Sequence, residues 1–228
     1  MQKEIIRARD VTLPVADRDK HGVSSVTLTL HAGEQLVIEW IKDIACFPIA
    51  EVLSGLLEPA SGDVAFERRA WTDYSLDEAS RARSRIGRVF EEHAWVSNLD
   101  LDENITLAQR HHTTRPEQDI REEALALIQS FGSPTLPVMR PAVAAPHTRM
   151  LAQWTRALMG QPSLLVLEQP TREASDEECG MLIQAVRERV EQGAAAVWLT
   201  RDARVRNHNA LQRALRARVD HGTWNVVQ

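Results

Sequence analysis

The chain has 228 residues, 43% of them hydrophobic, with 27 Lys and Arg against 32 Asp and Glu and a net charge of −5. That is enough apolar material for one sizeable core, or a core with a small lobe. The mild acidic balance, with both signs interspersed, gives no electrostatic reason to expect nucleic acid as a partner. No run of about 18 apolar residues suggests a membrane span, and the opening MQKEIIRARD lacks the apolar stretch of a signal peptide. Two cysteines, Cys46 and Cys179, form neither a metal spacing nor a disulfide framework and read as reduced cytosolic thiols.

In chain order, residues 3–39 read as strands. Val26–Leu30 alternates as a half-exposed antiparallel strand should, and His31–Glu34 is a turn. Leu36–Ile38 is a short apolar run suited to a buried strand. Beyond the turn at 40–47, Ile49, Val52, Leu53 and Leu56 fall at helical spacing, with Pro48 tolerable in a first helical turn. Glu58–Gly62 ends that helix, and Asp63–Phe66 is another strand. Ser75 and Glu78 make a capping box that opens a helix through about Arg85. Ile86–Phe90 is strand-like.

From Glu91 to about Ala145 the pattern turns mostly helical. Ile120, Ala124, Leu127, Ile128 and Phe131 share one face, ended by Gly132. His111 and His112 read as a solvated loop, with no further ligand at metal spacing. Ser133–Pro146 is a proline-rich loop, and Met150, Leu151, Trp154 and Leu158 mark the next helix. Leu164–Leu167 is a second buried strand. Ser175 caps a helix whose first turn, Asp176 to Glu178, suits the positive end of its dipole. Cys179, Ile183, Val186 and Val190 make its apolar face. Ala194–Leu199 is a third buried strand, and strand, helix, strand implies a right-handed parallel crossover. The basic clusters Arg81–Arg85 and Arg213–Arg218 read as solvated helix faces. Trp154 and Trp198 lie on buried patterns.

Several fragments, in this order and spacing, resemble the nucleotide-binding (ATPase) subunit family of ABC transporters over nearly the whole length. They are Leu30–Gln35 before the turn, Leu53–Val64 (LSGLLEPASGDV) after it, and Asn98–Ile105 (NLDLDENI). Thr155–Leu158, Gln161–Thr171 (QPSLLVLEQPT) and Leu199–Asp202 complete the set. The resemblance implies an α/β fold of the P-loop NTPase type, as one cassette domain over 1–228. A mainly parallel core with an N-terminal antiparallel part would be built from 1–91 and 161–228, and a helical subdomain would be inserted at about 92–160.

The chemistry departs from the family. The glycines of its phosphate loop fall on Trp40, Asp43 and Ala45. Trp40 and Ala45 resist positive φ and close phosphate approach, and Asp43 sets a carboxylate near phosphate oxygens. The loop lysine is Cys46, which loses charge-assisted bonds of roughly 1.5–3 kcal/mol each. The magnesium-ligating hydroxyl is Phe47. Lys42 is the only cation in the loop and stands four positions before the usual lysine. Cys46 could suggest a nucleophile on a strand-to-helix turn, with His93 or His147 as base. Its flanks, Ala45, Phe47 and Pro48, read better as apolar filler.

The family's signature loop falls on Ala144, Ala145, Pro146, His147 and Thr148, without its serine and glycines. The aspartate after the buried strand is Glu168, the catalytic glutamate is Gln169, which cannot act as a base, and the switch histidine is Arg201. The permease-sensing glutamine is Glu91. Its neighbours Glu92, His93 and Trp95 fall where the family docks its permease, with Trp95 as an interface anchor or a core residue. Loss of loop glycines also accounts for a total of only 10, where average usage near 7% would give about 16.

The expectation is a pseudo-ATPase, not an enzyme. It would bind no ATP, magnesium or other metal of its own, any nucleotide being held by a partner. It would sit on the cytoplasmic face of the inner membrane, docked to an integral permease. It would pair with a second cassette, as a heterodimer with an active ATPase before a homodimer. Small cassettes of this form are similar to those of lipid- or lipoprotein-handling systems, an analogy only. The rival expectations are an ATP-independent scaffold of a membrane complex and an active ATPase with atypical motifs.

Overall fold

The computed structural model describes residues 2–14, 22–40, 48–92, 94–220 and 222–227. Two strand-rich parts meet first. Strands β1 (Glu4–Thr12) and β2 (Val26–His31) pair antiparallel, and β4 (Ser61–Phe66) and β5 (Arg69–Ala70) extend them into a four-stranded sheet in the order β2-β1-β4-β5. Strand β3 (Gln35–Trp40) leaves that sheet for a second one. Helix α1 (Ile49–Leu53) follows it, and α2 (Leu76–Arg83) leads into β6 (Ile86–Val89). The capping box of α2 is present: Glu78 N–H donates to the Ser75 hydroxyl, and the Glu78 carboxylate accepts from Ser75 N–H at 2.9 Å.

Helices α3 (Leu101–His112), α4 (Glu117–Ser130) and α5 (Pro146–Leu158) form the insertion. The chain then returns through β7 (Leu164–Glu168), α6 (Asp176–Glu191), β8 (Ala195–Leu199), a short α7 (Ala203–Arg206), β9 (Leu215–Asp220) and β10 (Thr223–Val227). The second sheet runs β10-β9-β3-β8-β7-β6, parallel throughout except for the β9–β10 hairpin. Parallel strands covered on both faces carry continuous apolar runs, and alternate residues of β7 divide between two cores. Leu165 and Leu167 pack with α5 and α6, while Leu164 and Val166 pack with α1 and the first sheet.

Two sequence expectations are corrected. Arg216 and Arg218 lie in β9, not on a helix: every second residue, Ala217 and Val219, is buried, so the arginines alternate outward on a sheet. His111 and His112 form the last turn of α3, rings edge to face at 4.6 Å, rather than a loop. Burial, with the His111 and Arg81 charges second, pushes His112 down toward its neutral form.

Trp154 and Trp198 are fully buried, and each indole N–H is satisfied, by Pro170 O at 2.9 Å and Gln35 Oε1 at 3.0 Å. The edge strand β6 lies so close to α5 that a Cβ on Gly87 would stand 1.9 Å from the Ala157 carbonyl oxygen. That approach holds the insertion against the parallel sheet, beside the site described next.

Candidate functional site

The C-terminal ends of β3, β7 and β8 converge, as parallel topology requires, on one rim of the sheet, where open α/β sheets place ligands. Residues Asp43, Ala45, Cys46 and Phe47, with Lys42, lie outside the described residues. Trp40 closes β3, and the Arg201 guanidinium stands over its ring, 5.5 Å from the centroid.

Glu168 is the last residue of β7 and Gln169 follows it. Gln169 has φ of +43°, a region side-chain-bearing residues seldom enter. Its N–H donates to Leu199 O at 2.8 Å, and its carboxamide oxygen accepts from Arg201 N–H at 3.3 Å. The ends of β7 and β8 thus hold Gln169 and Arg201 together, through one main-chain bond and one from the Arg201 main chain to the Gln169 side chain. Thr171 and Asp202 reinforce this junction with a hydroxyl-to-carboxylate bond of 2.6 Å.

The Glu168 carboxylate faces an arginine that sequence reasoning passed over. Arg88 lies in β6 with buried neighbours on either side and is itself only 7% exposed. Its Nη2 donates to Glu168 Oε2 at 2.6 Å and to Glu51 Oε1, in α1, at 2.8 Å. The guanidinium also stacks on Phe90, 4.3 Å from its centroid. Burial pushes the Glu168 carboxyl above its ordinary value, and the Arg88 charge and hydrogen bonds work against that rise. A buried charge has to be paired, so an arginine inside the apolar pattern Ile86–Phe90 was the available signal. The identity of its partners, 37 and 80 residues away, was not.

Glu91 and Glu92 are exposed, and His93 lies outside the described residues. Glu91 pairs with Arg172 at 2.8 Å. Trp95 is half-buried, packed partly on the core, with the Arg156 guanidinium 4.3 Å from its ring centroid. Helix α5 ties this segment down: Gln153 accepts from Phe90 N–H at 3.0 Å, and Arg156 donates to Ala94 O at 2.6 Å. Burial, with the Arg88 charge second, pushes Arg156 down to about 10.

Ala144 is buried, Ala145 caps α5, and Pro146 is its first residue. Pro146 has no N–H, so the start of α5 offers one amide donor fewer than an ordinary helix. His147 contacts the Glu178 carboxylate of α6, and Thr148 is half-buried. The bond from His147, with the Ser175 donors, holds the Glu178 carboxyl below the usual range. The rim and the start of α5 are therefore separate: His147 meets Glu178, not residues at the ends of β7 and β8. Among the described residues no group of three His, Cys, Asp or Glu is placed to hold a metal, and no helix is long and apolar enough to cross a membrane.

The fold decides the comparison with known proteins. The dimeric ATP-binding cassette MJ0796, solved in a post-hydrolysis state with ADP and Pi, superposes with a TM-score of 0.84 at 18% identity, covering 98% of this chain and 99% of that one. The chain has the ABC ATP-binding cassette fold. Its sequence relatives are ATP-binding proteins of ABC transporters. The glutamine transport protein GlnQ of Geobacillus stearothermophilus is 22% identical over 81% of this chain and 76% of its own length. The phospholipid transport protein MlaF of Haemophilus influenzae is 21% identical over 82% and 70%. The macrolide export ATP-binding/permease protein MacB of Burkholderia thailandensis is 24% identical over 91% of this chain but only 32% of its own length. The cassette thus spans most of the first two and about a third of the last. No protein-family model matches the chain.

Proposed function

We propose that this cassette is a non-hydrolysing subunit of a membrane transport complex. It docks a permease through the segment around Glu91 and Trp95 on the cytoplasmic face of the inner membrane, and pairs with a second cassette that carries out ATP turnover. The observation that carries the reading is the junction of Gln169 and Arg201 at the ends of β7 and β8. In the resemblance these positions belong to the water-orienting glutamate and the switch histidine. Here an amide and a guanidinium occupy them, and neither accepts a proton at neutral pH.

The described residues at the rim and at the start of α5 fit a magnesium nucleotide poorly. The carboxylate at 168 is engaged by Arg88 at 2.6 Å. At the start of α5, proline replaces an amide donor, and a carboxylate from α6 approaches His147 where a γ-phosphate would need donors. The phospholipid system among the relatives supports a lipid-handling complex as the setting. An intact partner could still hold nucleotide in its own phosphate loop, against Ala144–Thr148 of this chain.

Two measurements test the reading. The purified chain should show no magnesium-dependent hydrolysis and no calorimetric ATP binding in the micromolar range; either activity would falsify it. The complex recovered from membranes with this chain as bait should contain a permease and a cassette with an intact Gly-Lys-Ser loop. Recovery with a permease alone would replace the heterodimer by a scaffold.

A further inference from the structure

We infer that Arg88 supplies, from inside the chain, the positive charge that a divalent cation brings to the rim carboxylate in a nucleotide-loaded cassette, so that α1, β6 and β7 are tied together without metal. The inference rests on the reading of Glu168 as the family's magnesium-side carboxylate, and goes beyond it by naming what has replaced the ion.

The geometry is specific. One nitrogen, Arg88 Nη2, reaches two carboxylates from two different elements: Glu168 at the end of β7, and Glu51 in α1, the helix that follows residues 41–47. These elements flank the rim, and Arg88 approaches from β6, beyond β7 in the sheet. Bringing two carboxylates to one buried point is unfavourable unless a cation stands between them. Glu168 is only 16% exposed in its side chain and Arg88 6%, so water screens the pair poorly. Glu51 is more open, at 37%.

The arginine is also held from behind. The Phe90 ring lies against its guanidinium, 4.3 Å from carbon to centroid, a cation–π contact on the buried group. A guanidinium stays charged under all physiological conditions, so this cation neither dissociates nor depends on nucleotide. Among the described residues Arg88 is the only one whose side chain pairs with Glu168. The Nε and Nη1 of the same guanidinium are buried with no hydrogen-bond partner, so the tie between the three elements runs through Nη2 alone, and it needs no metal.

The test uses the full chain without nucleotide at neutral pH, reading thermal unfolding in chelator, in magnesium and in manganese. The wild type should unfold at the same temperature in all three. Arg88→Met, which keeps the bulk and removes the charge, should lower the midpoint by roughly 10 °C in chelator. Millimolar manganese should then restore half or more of the loss, because the ion bridges the two stranded carboxylates. Arg88→Met with Glu168→Gln should lose that manganese response. A structural arginine with no such role would give a loss that metal does not repair. That outcome, or a wild type stabilised by manganese as much as the variant, overturns the inference.

If Arg88→Met does not fold, Arg88→Lys decides. It keeps a cation and should fold without a manganese response, and a manganese response as large as the loss it repairs would overturn the inference. Because no nucleotide is present, the outcome is separate from the hydrolysis assay: an active wild type would end the non-hydrolysing reading and leave the metal readout standing.

Discussion

Two regions of this cassette, a few residues apart along the same strands, were built by different rules. The body of β7 is four consecutive fully buried residues, Leu164–Leu167, shared between two apolar cores. The next two positions, Glu168 and Gln169, are polar, partly open, and held by an arginine and by the end of β8. The body is held by close packing, which accepts few alternatives. At the rim the chain satisfies polar groups internally, through Arg88 and through the end of β8. The border between apolar packing and polar pairing lies at the end of a strand.

The largest expected effects test whether body and rim carry comparable stability. Trp154→Ala removes a fully buried indole and its bond to Pro170 O, and should cost about 3–5 kcal/mol in denaturant unfolding. Arg88→Met should approach the same range, about 3–5 kcal/mol for breaking a buried ion pair, at the lower end because Glu51 is partly open to water. If Arg88→Met costs nothing, the rim is passive surface and the contrast with the body loses its electrostatic half.

Ser175→Ala should cost about 1 kcal/mol through loss of the N-cap of α6, where Glu178 N–H donates to the Ser175 hydroxyl at 3.2 Å. A cost well above that would mean that the Glu178–His147 contact depends on the cap, joining the signature region to the body.

The next test is a pH window. Glu67 closes a junction of Lys3 and Arg85, each at 2.6 Å, with Ser163 at 3.0 Å. Burial alone would raise its pKa, but the Lys3 and Arg85 bonds and charges outweigh burial and the net shift is downward. A carboxyl lowered in the folded state stabilises above its unfolded value, and that contribution disappears as pH falls through the folded value. Glu67→Gln should therefore destabilise at neutral pH and be indistinguishable from the wild type in strong acid, as read by unfolding midpoints. The smallest effect is a null: Gln169→Glu should leave magnesium-dependent hydrolysis absent, since Arg88 still occupies Glu168. A gain of turnover would move the rim back to the family's chemistry.

Much of the body was legible in the sequence. The buried runs at 36–38, 164–167 and 194–199, the capping box at Ser75, the N-cap at Ser175, and the two core tryptophans each follow from local periodicity or a short polar motif. The β9–β10 hairpin was not. Its alternation of Ala217 and Val219 with Arg216 and Arg218 is short and was read as a basic helix face, and pairing with β3, about 180 residues earlier, decides it. The terminal turn of α3 was missed because two adjacent histidines carry no periodicity.

At the site, the sequence by itself determined which residue types stand at the rim: Glu168, Gln169 and Arg201, at the positions that the resemblance gives to the family's acid, base and imidazole. Only the tertiary structure decided what those residues do to one another. Arg88, Glu51 and Glu168 belong to three elements with no local pattern in common. Their meeting depends on strand order, on the face that each side chain takes, and on the approach of α1 to the sheet. Charge pairing between such distant positions is a consequence of packing, and packing is what a linear reading does not contain.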